Sequence, residues 1–310
     1  MSLSINPQII VALGRVEPHL VEPLLSEHQR LVQDPTNADL ANAEAAIVRA
    51  AYRVDRDLLD RMPALKVIAR TGVGTDLVDV AEANRRGIAV VITPGSNTAS
   101  VAEGVFAHLL SLVKKLGPLT SLVREGRWEQ RSAMDVGDLE GFTLGIIGYG
   151  RIGRRVARLA EAFDMKILAH DPFAKIPAGM GCETVEELLA RSDFTTLHMP
   201  LTTENHHLIN AARLATMKTG AILINCSRGG LVDLNAARQA LLSGQLSGLG
   251  LDVYDPEPPA HHPLFDHENV VLTPHLMGFT QQGMAHTVRD AAQGAIDVLA
   301  GRAPAAVAAP

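Results

Sequence analysis

Short apolar, β-branched runs alternate with helix-period segments from one end of the chain to the other, and this rhythm narrows the possible folds more than any other feature. The runs Gln8–Leu13, 46–49, Val67–Arg70, 89–92, 144–148, Lys166–His170, 194–199, 221–226, 248–253 and 270–273 read as strands. Several are apolar almost throughout, as strands covered on both faces must be. Between them lie segments such as 152–163, where Ile152, Val156, Leu159 and Phe163 recur at one-face helical spacing. Parallel sheets joined by crossover helices are the expected result, which is the α/β class.

A chain of 310 residues exceeds one minimal core, so two domains are expected. The segment 98–116 reads as a long amphipathic helix, with Ser100-Val101-Ala102-Glu103 as a capping box at its start. It follows four strands and precedes a fresh βα unit, so a domain boundary is expected there. A further helix over 281–299 could return to the first domain. Residues 1–98 and 281–310 therefore form one expected domain, with 99–280 inserted as the other. The stretch beyond Gly301 has no amphipathic pattern and is expected to be loose.

Composition excludes several functions. A net charge of −6 argues against nucleic-acid binding, which needs a basic stripe. No apolar run approaches the roughly 18 residues needed to cross a bilayer. Met1-Ser2-Leu3-Ser4-Ile5 lacks the basic and apolar regions of a secretion signal. Two cysteines, Cys182 and Cys226, do not make a disulfide framework, so a reducing cytoplasm is expected.

The run Gly148-Tyr149-Gly150-Arg151-Ile152-Gly153 follows an apolar strand and opens a helix. In that context Gly148 permits a tight turn, Gly150 lets backbone approach a pyrophosphate, and Gly153 allows close helix packing. The helix N-terminus then offers free N–H groups and partial positive charge to phosphates. Asp171 ends the next strand, 18 residues beyond Gly153. A carboxylate there accepts adenosine-ribose hydroxyls and repels a 2′-phosphate, and Pro172, Phe173 and Ala174 bring no arginine. The pattern points to NAD rather than NADP, although Asp171 also reads as a turn residue before proline.

Downstream, Arg228 follows the strand 221–226 and precedes Gly229-Gly230, at the ligand edge of an open α/β sheet. A guanidinium binds a carboxylate at two points, which lysine does less well. His275 stands after the strand 270–273 and a proline. Alone, it also reads as a structural histidine. Glu257, in Asp255-Pro256-Glu257-Pro258, also reads as a solvated loop acid.

Taken together, these motifs resemble the D-isomer-specific 2-hydroxyacid dehydrogenase family. The resemblance runs from Ile47-Val48-Arg49 and Arg70-Thr71-Gly72-Val73-Gly74-Thr75-Asp76, through Gly148–Gly153, Pro200-Leu201-Thr202 and 225–233, to Thr273-Pro274-His275. It implies two Rossmann/flavodoxin-like domains, the NAD domain inserted into a substrate-binding cap domain. It also implies roles. Arg228, with the backbone N–H groups of Val73 and Gly74, grips the substrate carboxylate. Hydride passes from the nicotinamide to C2, and His275 protonates the carbonyl oxygen. Glu257 orients the imidazole and favours its charged form. Thr98 and Asp252 match positions near the nicotinamide, and Arg151 and Ile152 match pyrophosphate contacts. His198, Pro200, Cys226 and Ser227 join the cofactor set. A cleft closing to exclude water is part of the same expectation.

The resemblance further implies a homodimer, since Trp128 falls in a segment like the family's intersubunit arm. Substrate choice lies between two branches. Arg49 matches an arginine that meets a phosphate in the phosphoglycerate dehydrogenase branch, whereas Pro94-Gly95-Ser96-Asn97-Thr98 departs from that branch's usual wording. A glyoxylate or hydroxypyruvate reductase shares the same core. The alternative to an enzyme is an NAD(H)-sensing protein like the corepressors that resemble this family. His261, His262 and His267 lack ordered ligand spacing, so no metal is expected.

Overall fold

A computed structural model describes residues 7–49 and 51–308 of the chain. The residues read above for a secretion signal, and Ala50 beside Arg49, lie outside these. The chain divides into two compact units, one built from residues up to Asn97 together with those from Thr280 onward, the other spanning Thr98–Phe279.

The first unit carries strands β1 (Gln8–Leu13), β2 (Gln29–Val32), β3 (Ala43–Val48), β4 (Val67–Arg70) and β5 (Ala89–Val91). They pair in the order β2-β1-β3-β4-β5, and every pairing is parallel. Apolar clusters cover both faces. One includes Val11, Val48, Leu59, Met62 and Ile68, the other Ile10, Ile47, Val67 and Val91. The helix Gln281–Leu299 closes the second face with Val288, Ala291, Ala292 and Ala295, all essentially inaccessible to solvent. Its Gly294 lies so close to Val91 that a Cβ there would come within 2.5 Å of Val91 Cγ1.

The second unit carries β6 (Thr143–Ile147), β7 (Lys166–His170), β8 (Phe194–Leu197), β9 (Ala221–Asn225), β10 (Leu246–Leu251) and β11 (Val270–Leu272). The order is β11-β10-β9-β8-β6-β7, again all parallel. Chain order reverses beside β6, which has β7 on one side and β8 on the other. Ligands bind outside the carboxyl ends of strands at such a switch point. β9 is buried at every position, the expected signature of a central parallel strand.

Three sequence expectations require correction. The strand β2 was not foreseen, because Gln29 and Arg30 break the apolar pattern of a sheet-edge strand that is only partly buried. Ser100-Val101-Ala102-Glu103 is not a capping box, since the helix Thr98–Val113 begins two residues earlier and Ser100 is buried in its first turn. The stretch beyond Gly301 is not loose. The Ile92 amide donates to the Ala306 carbonyl at 3.2 Å, the Ala308 amide donates to the Val90 carbonyl at 2.8 Å, and Val307 bridges Val91. The tail pairs there because β5 is an edge strand with unpaired backbone groups.

Candidate active site

The glycine turn sits between β6 and the helix Arg151–Glu161. Gly148 has φ +96°, and a Cβ on it would fall 2.4 Å from the His198 carbonyl oxygen. A Cβ on Gly153 would fall 2.2 Å from the Gly148 carbonyl oxygen, so helix and strand meet backbone to backbone. Around the Cβ position of Gly150 there is open space, and as the helix N-cap it makes no side-chain cap. The amides of the first turn, beginning at Arg151 and Ile152, are thus left to an incoming anion.

At the end of β7 the Asp171 carboxylate accepts the Tyr149 amide at 2.7 Å and the amides of Phe173 and Ala174 at 2.8 and 3.0 Å. It is therefore a turn residue, held beside the glycine turn.

After β8, His198 shares a hydrogen bond of 3.0 Å with Thr196 Oγ1 through Nε2, while its buried Nδ1 has no partner. Burial pushes its pKa down to about 3, so the ring is neutral. Pro200 is exposed, and its carbonyl accepts from Asn205 Nδ2 at 2.8 Å.

Three neighbouring strands deliver the chemical groups. Arg228 follows β9, Glu257 follows β10 and His275 follows β11, each beyond the carboxyl end of its strand. Asn225, fully buried, shapes the first turn. Its Nδ2 donates to the Arg228 carbonyl at 2.8 Å and its Oδ1 accepts the Ser227 amide at 3.0 Å. Ser227 Oγ donates to the Met199 carbonyl, and Arg228 Nη1 donates to the Ser227 carbonyl at 2.8 Å. Gly229 brings this turn against the next loop, since a Cβ there would fall 2.0 Å from the Tyr254 carbonyl carbon. In that loop Glu257 Oε1 accepts the Tyr254 amide at 3.0 Å.

Glu257 Oε2 lies 2.7 Å from His275 Nδ1. The carboxylate makes Nδ1 the protonated nitrogen and leaves Nε2 to exchange a proton. Both side chains keep more than a third of their surface open, so the pair is reachable. The Phe279 ring meets the imidazole edge-on at 5.9 Å. His275 itself adopts a left-handed backbone, φ +55°, which is unusual for a non-glycine residue. A cavity of about 340 Å³ borders the pair, lined by Tyr254, Phe265, Leu272 and Pro274 among others. The Tyr254 hydroxyl donates to the Thr273 carbonyl at 3.0 Å, and burial, with Asp252 and Glu257 nearby, pushes its pKa up to about 12. It remains a phenol, not a base.

Asp252 is almost wholly buried beneath this loop. It accepts from Thr273 Oγ1 at 2.6 Å and from the amides of Leu276 and Met277 at 2.9 and 3.1 Å. Cys226 is buried at the end of β9, and burial raises its thiol well above the ordinary value. Thr98 is the first residue of the second unit's long helix. Among the residues of the first unit, Arg49 has a buried Nη1 with no hydrogen-bond partner. Val73 is half exposed, and the Gly74 carbonyl accepts from Arg70 Nε at 3.0 Å. The sequence gives no role to Asn225 and Thr273, which appear there only inside longer motifs, and does not point to His108. A buried asparagine at a strand end was the one available signal.

No group of three or more His, Cys, Asp or Glu residues is arranged to hold a metal ion among the described residues. His261 faces Asp266 at 3.1 Å, and His262 accepts the Leu264 amide through Nδ1. No helix among the described residues is long and apolar enough to cross a membrane.

The chain is similar to several known proteins. The family model described as D-isomer specific 2-hydroxyacid dehydrogenase, NAD binding domain, matches residues 106–277. D-3-phosphoglycerate dehydrogenase of Methanocaldococcus jannaschii is 39% identical over 248 residues, covering 78% of this chain and 47% of that protein. This chain thus spans about half the length of the phosphoglycerate dehydrogenases it matches. Glyoxylate reductase of Thermococcus litoralis is 42% identical over 258 residues, covering 79% of this chain and 78% of that protein. The structure of D-lactate dehydrogenase from Aquifex aeolicus, solved with NAD and lactic acid, superposes with a TM-score of 0.82 at 32% identity, covering 95% and 96% of the two chains. The family model spans more than half of the chain and the glyoxylate reductase matches most of its length, and the chain belongs to the D-isomer specific 2-hydroxyacid dehydrogenase family.

Proposed function

We propose that the chain interconverts a 2-keto acid and a D-2-hydroxy acid with NAD as cofactor. The observation that carries this reading is the arrival of Arg228, Glu257 and His275 at the carboxyl ends of three adjacent parallel strands, with Glu257 and His275 hydrogen-bonded at 2.7 Å. Gly148, Gly150, Gly153, the amides of Arg151 and Ile152, and Asp171 would hold the cofactor, and Thr98, His198, Pro200, Cys226, Ser227 and Asp252 would border it. When bound, the reduced cofactor supplies a hydride for C2 of the substrate. Arg228 binds the substrate carboxylate and orients the C2 carbonyl. His275 gives its Nε2 proton to the carbonyl oxygen as negative charge develops there. Glu257 holds the ring through Nδ1 and so orients Nε2 for the transfer.

The orphaned Nη1 of Arg49 supports a substrate with a second anionic group, such as 3-phosphohydroxypyruvate. The test is NADH oxidation against glyoxylate, hydroxypyruvate, 3-phosphohydroxypyruvate, pyruvate, oxaloacetate and a branched 2-keto acid, repeated with NADPH. Turnover is expected with NADH, and best with the phosphorylated acid. Preference for small unphosphorylated acids would remove the phosphate role from Arg49. Tight NADH binding without turnover of any acid would replace the enzyme with an NAD(H) sensor.

The same reading makes the protein a cytoplasmic homodimer. Both cysteines are free and buried, as suits a reducing compartment. Leu116, Val123, Trp128 and Val136 expose from 44% to 63% of their surface within one stretch of sequence, and a second copy would cover them. Replacing Val123 and Trp128 together by glutamate is expected to shift the sedimenting mass from two chains to one. An unchanged mass would place the interface elsewhere.

A further inference from the structure

A second feature of the catalytic unit concerns how His275 is held. β11 is three residues long and pairs only with β10, so its ladder tethers the following loop weakly. That loop nevertheless keeps His275 in a left-handed conformation. The restraint comes from Asp252, whose two oxygens take the Leu276 and Met277 amides on the residues just after the histidine.

The hydrogen bonds behind Asp252 have a determined direction. Thr273 has one hydroxyl proton and gives it to Asp252 Oδ1 at 2.6 Å. Its oxygen, 3.0 Å from His108 Nε2, must then accept, so His108 carries its proton on Nε2. That leaves His108 Nδ1 bare, 3.9 Å from Cys226 Sγ, where the thiol is the available donor. His108 is 2% exposed, and burial, only partly opposed by Asp252, lowers its pKa and so favours the neutral ring.

The surroundings are cut to this arrangement. A Cβ on Gly250 would stand 3.0 Å from both His108 Cβ and Nδ1, so glycine in β10 makes room for the ring. One turn earlier on the same helix face, a Cβ on Gly104 would stand 2.6 Å from Met277 Cβ. The helix Thr98–Val113 thus presents a glycine to one end of the 273–277 segment and a histidine to the other.

We propose that His108 is a positioning residue for the acid–base histidine, acting through a one-way chain, Cys226 to His108 to Thr273 to Asp252, that fixes the loop carrying His275. This rests on the dehydrogenase reading for its catalytic consequence but not for its structural one, and the two are tested separately.

The structural test uses the free protein. Long-range proton–nitrogen NMR correlations should show the neutral His108 ring as the Nε2-protonated tautomer. In His108→Leu, hydrogen exchange at the Leu276 and Met277 amides should accelerate at least about tenfold, and His108→Gln, which restores a donor near the Nε2 position, should recover most of the protection. An Nδ1-protonated neutral His108, or unchanged exchange in His108→Leu, would overturn the chain.

The catalytic test compares the same variants in keto-acid reduction. His108→Leu should lose about ten- to a hundredfold in kcat with little change in KM for NADH, because the proton donor is displaced while the cofactor turn is untouched. His108→Gln should recover most of that loss. Equal losses in both variants, tracking a common fall in thermal stability, would reduce His108 to packing and overturn the proposal. Absence of turnover in the parent protein would count against the dehydrogenase reading instead, with the NMR and exchange results still deciding the chain.

Discussion

Replacing His275 by alanine should lower kcat for keto-acid reduction by about 10²–10⁴-fold, the usual contribution of a positioned acid or base. NADH affinity should change little, since the glycine turn and Asp171 lie on other strands of the sheet. Fluorescence titration beside steady-state kinetics checks both parts. Equal losses of binding and rate would mean that the histidine supports the cofactor rather than moving a proton.

Arg228→Ala should lower kcat/KM by about 10²–10³-fold, the scale for truncating one partner of a hydrogen-bonded charge pair. The loss arises because the substrate carboxylate then enters without its two-point partner, and its carbonyl is no longer aimed. Arg228→Lys should recover only part, because an ammonium restores charge without the planar fork. Steady-state kinetics at several keto-acid concentrations checks this. A lysine variant equal to the parent would mean that charge alone is used.

Much of this architecture was legible because parallel sheets bury whole strands. β9 and β4 are buried at every position and apolar up to their last residues, Asn225 and Arg70, and their sequences announced them. β2 escaped because an edge strand tolerates Gln29 and Arg30 on its open side. The chemical residues were legible through order alone. Each follows a strand, and strands in a parallel sheet send their carboxyl ends to one edge. What remained hidden was the support beneath them. His108 reads in sequence as a polar interruption on an apolar helix face, and nothing local names Thr273 as its partner 165 positions away. Asn225 likewise looks like the polar end of a strand, whereas it holds both sides of the arginine turn. Side-chain hydrogen bonds across distant elements depend on the finished packing, which periodicity does not encode.

The pairing of residues 306–308 with β5 has a consequence for the behaviour of the protein at high concentration. An uncovered parallel edge is a template on which a neighbouring molecule can add a strand, the first step of sheet-mediated association. Here the template is occupied by a segment only a few residues beyond the helix Gln281–Leu299, at an effective concentration that a passing chain in solution cannot match. The tail acts as a tethered gatekeeper, and a chain cut or fused close behind Gly301 would surrender that protection even though its fold and catalytic groups stayed in place.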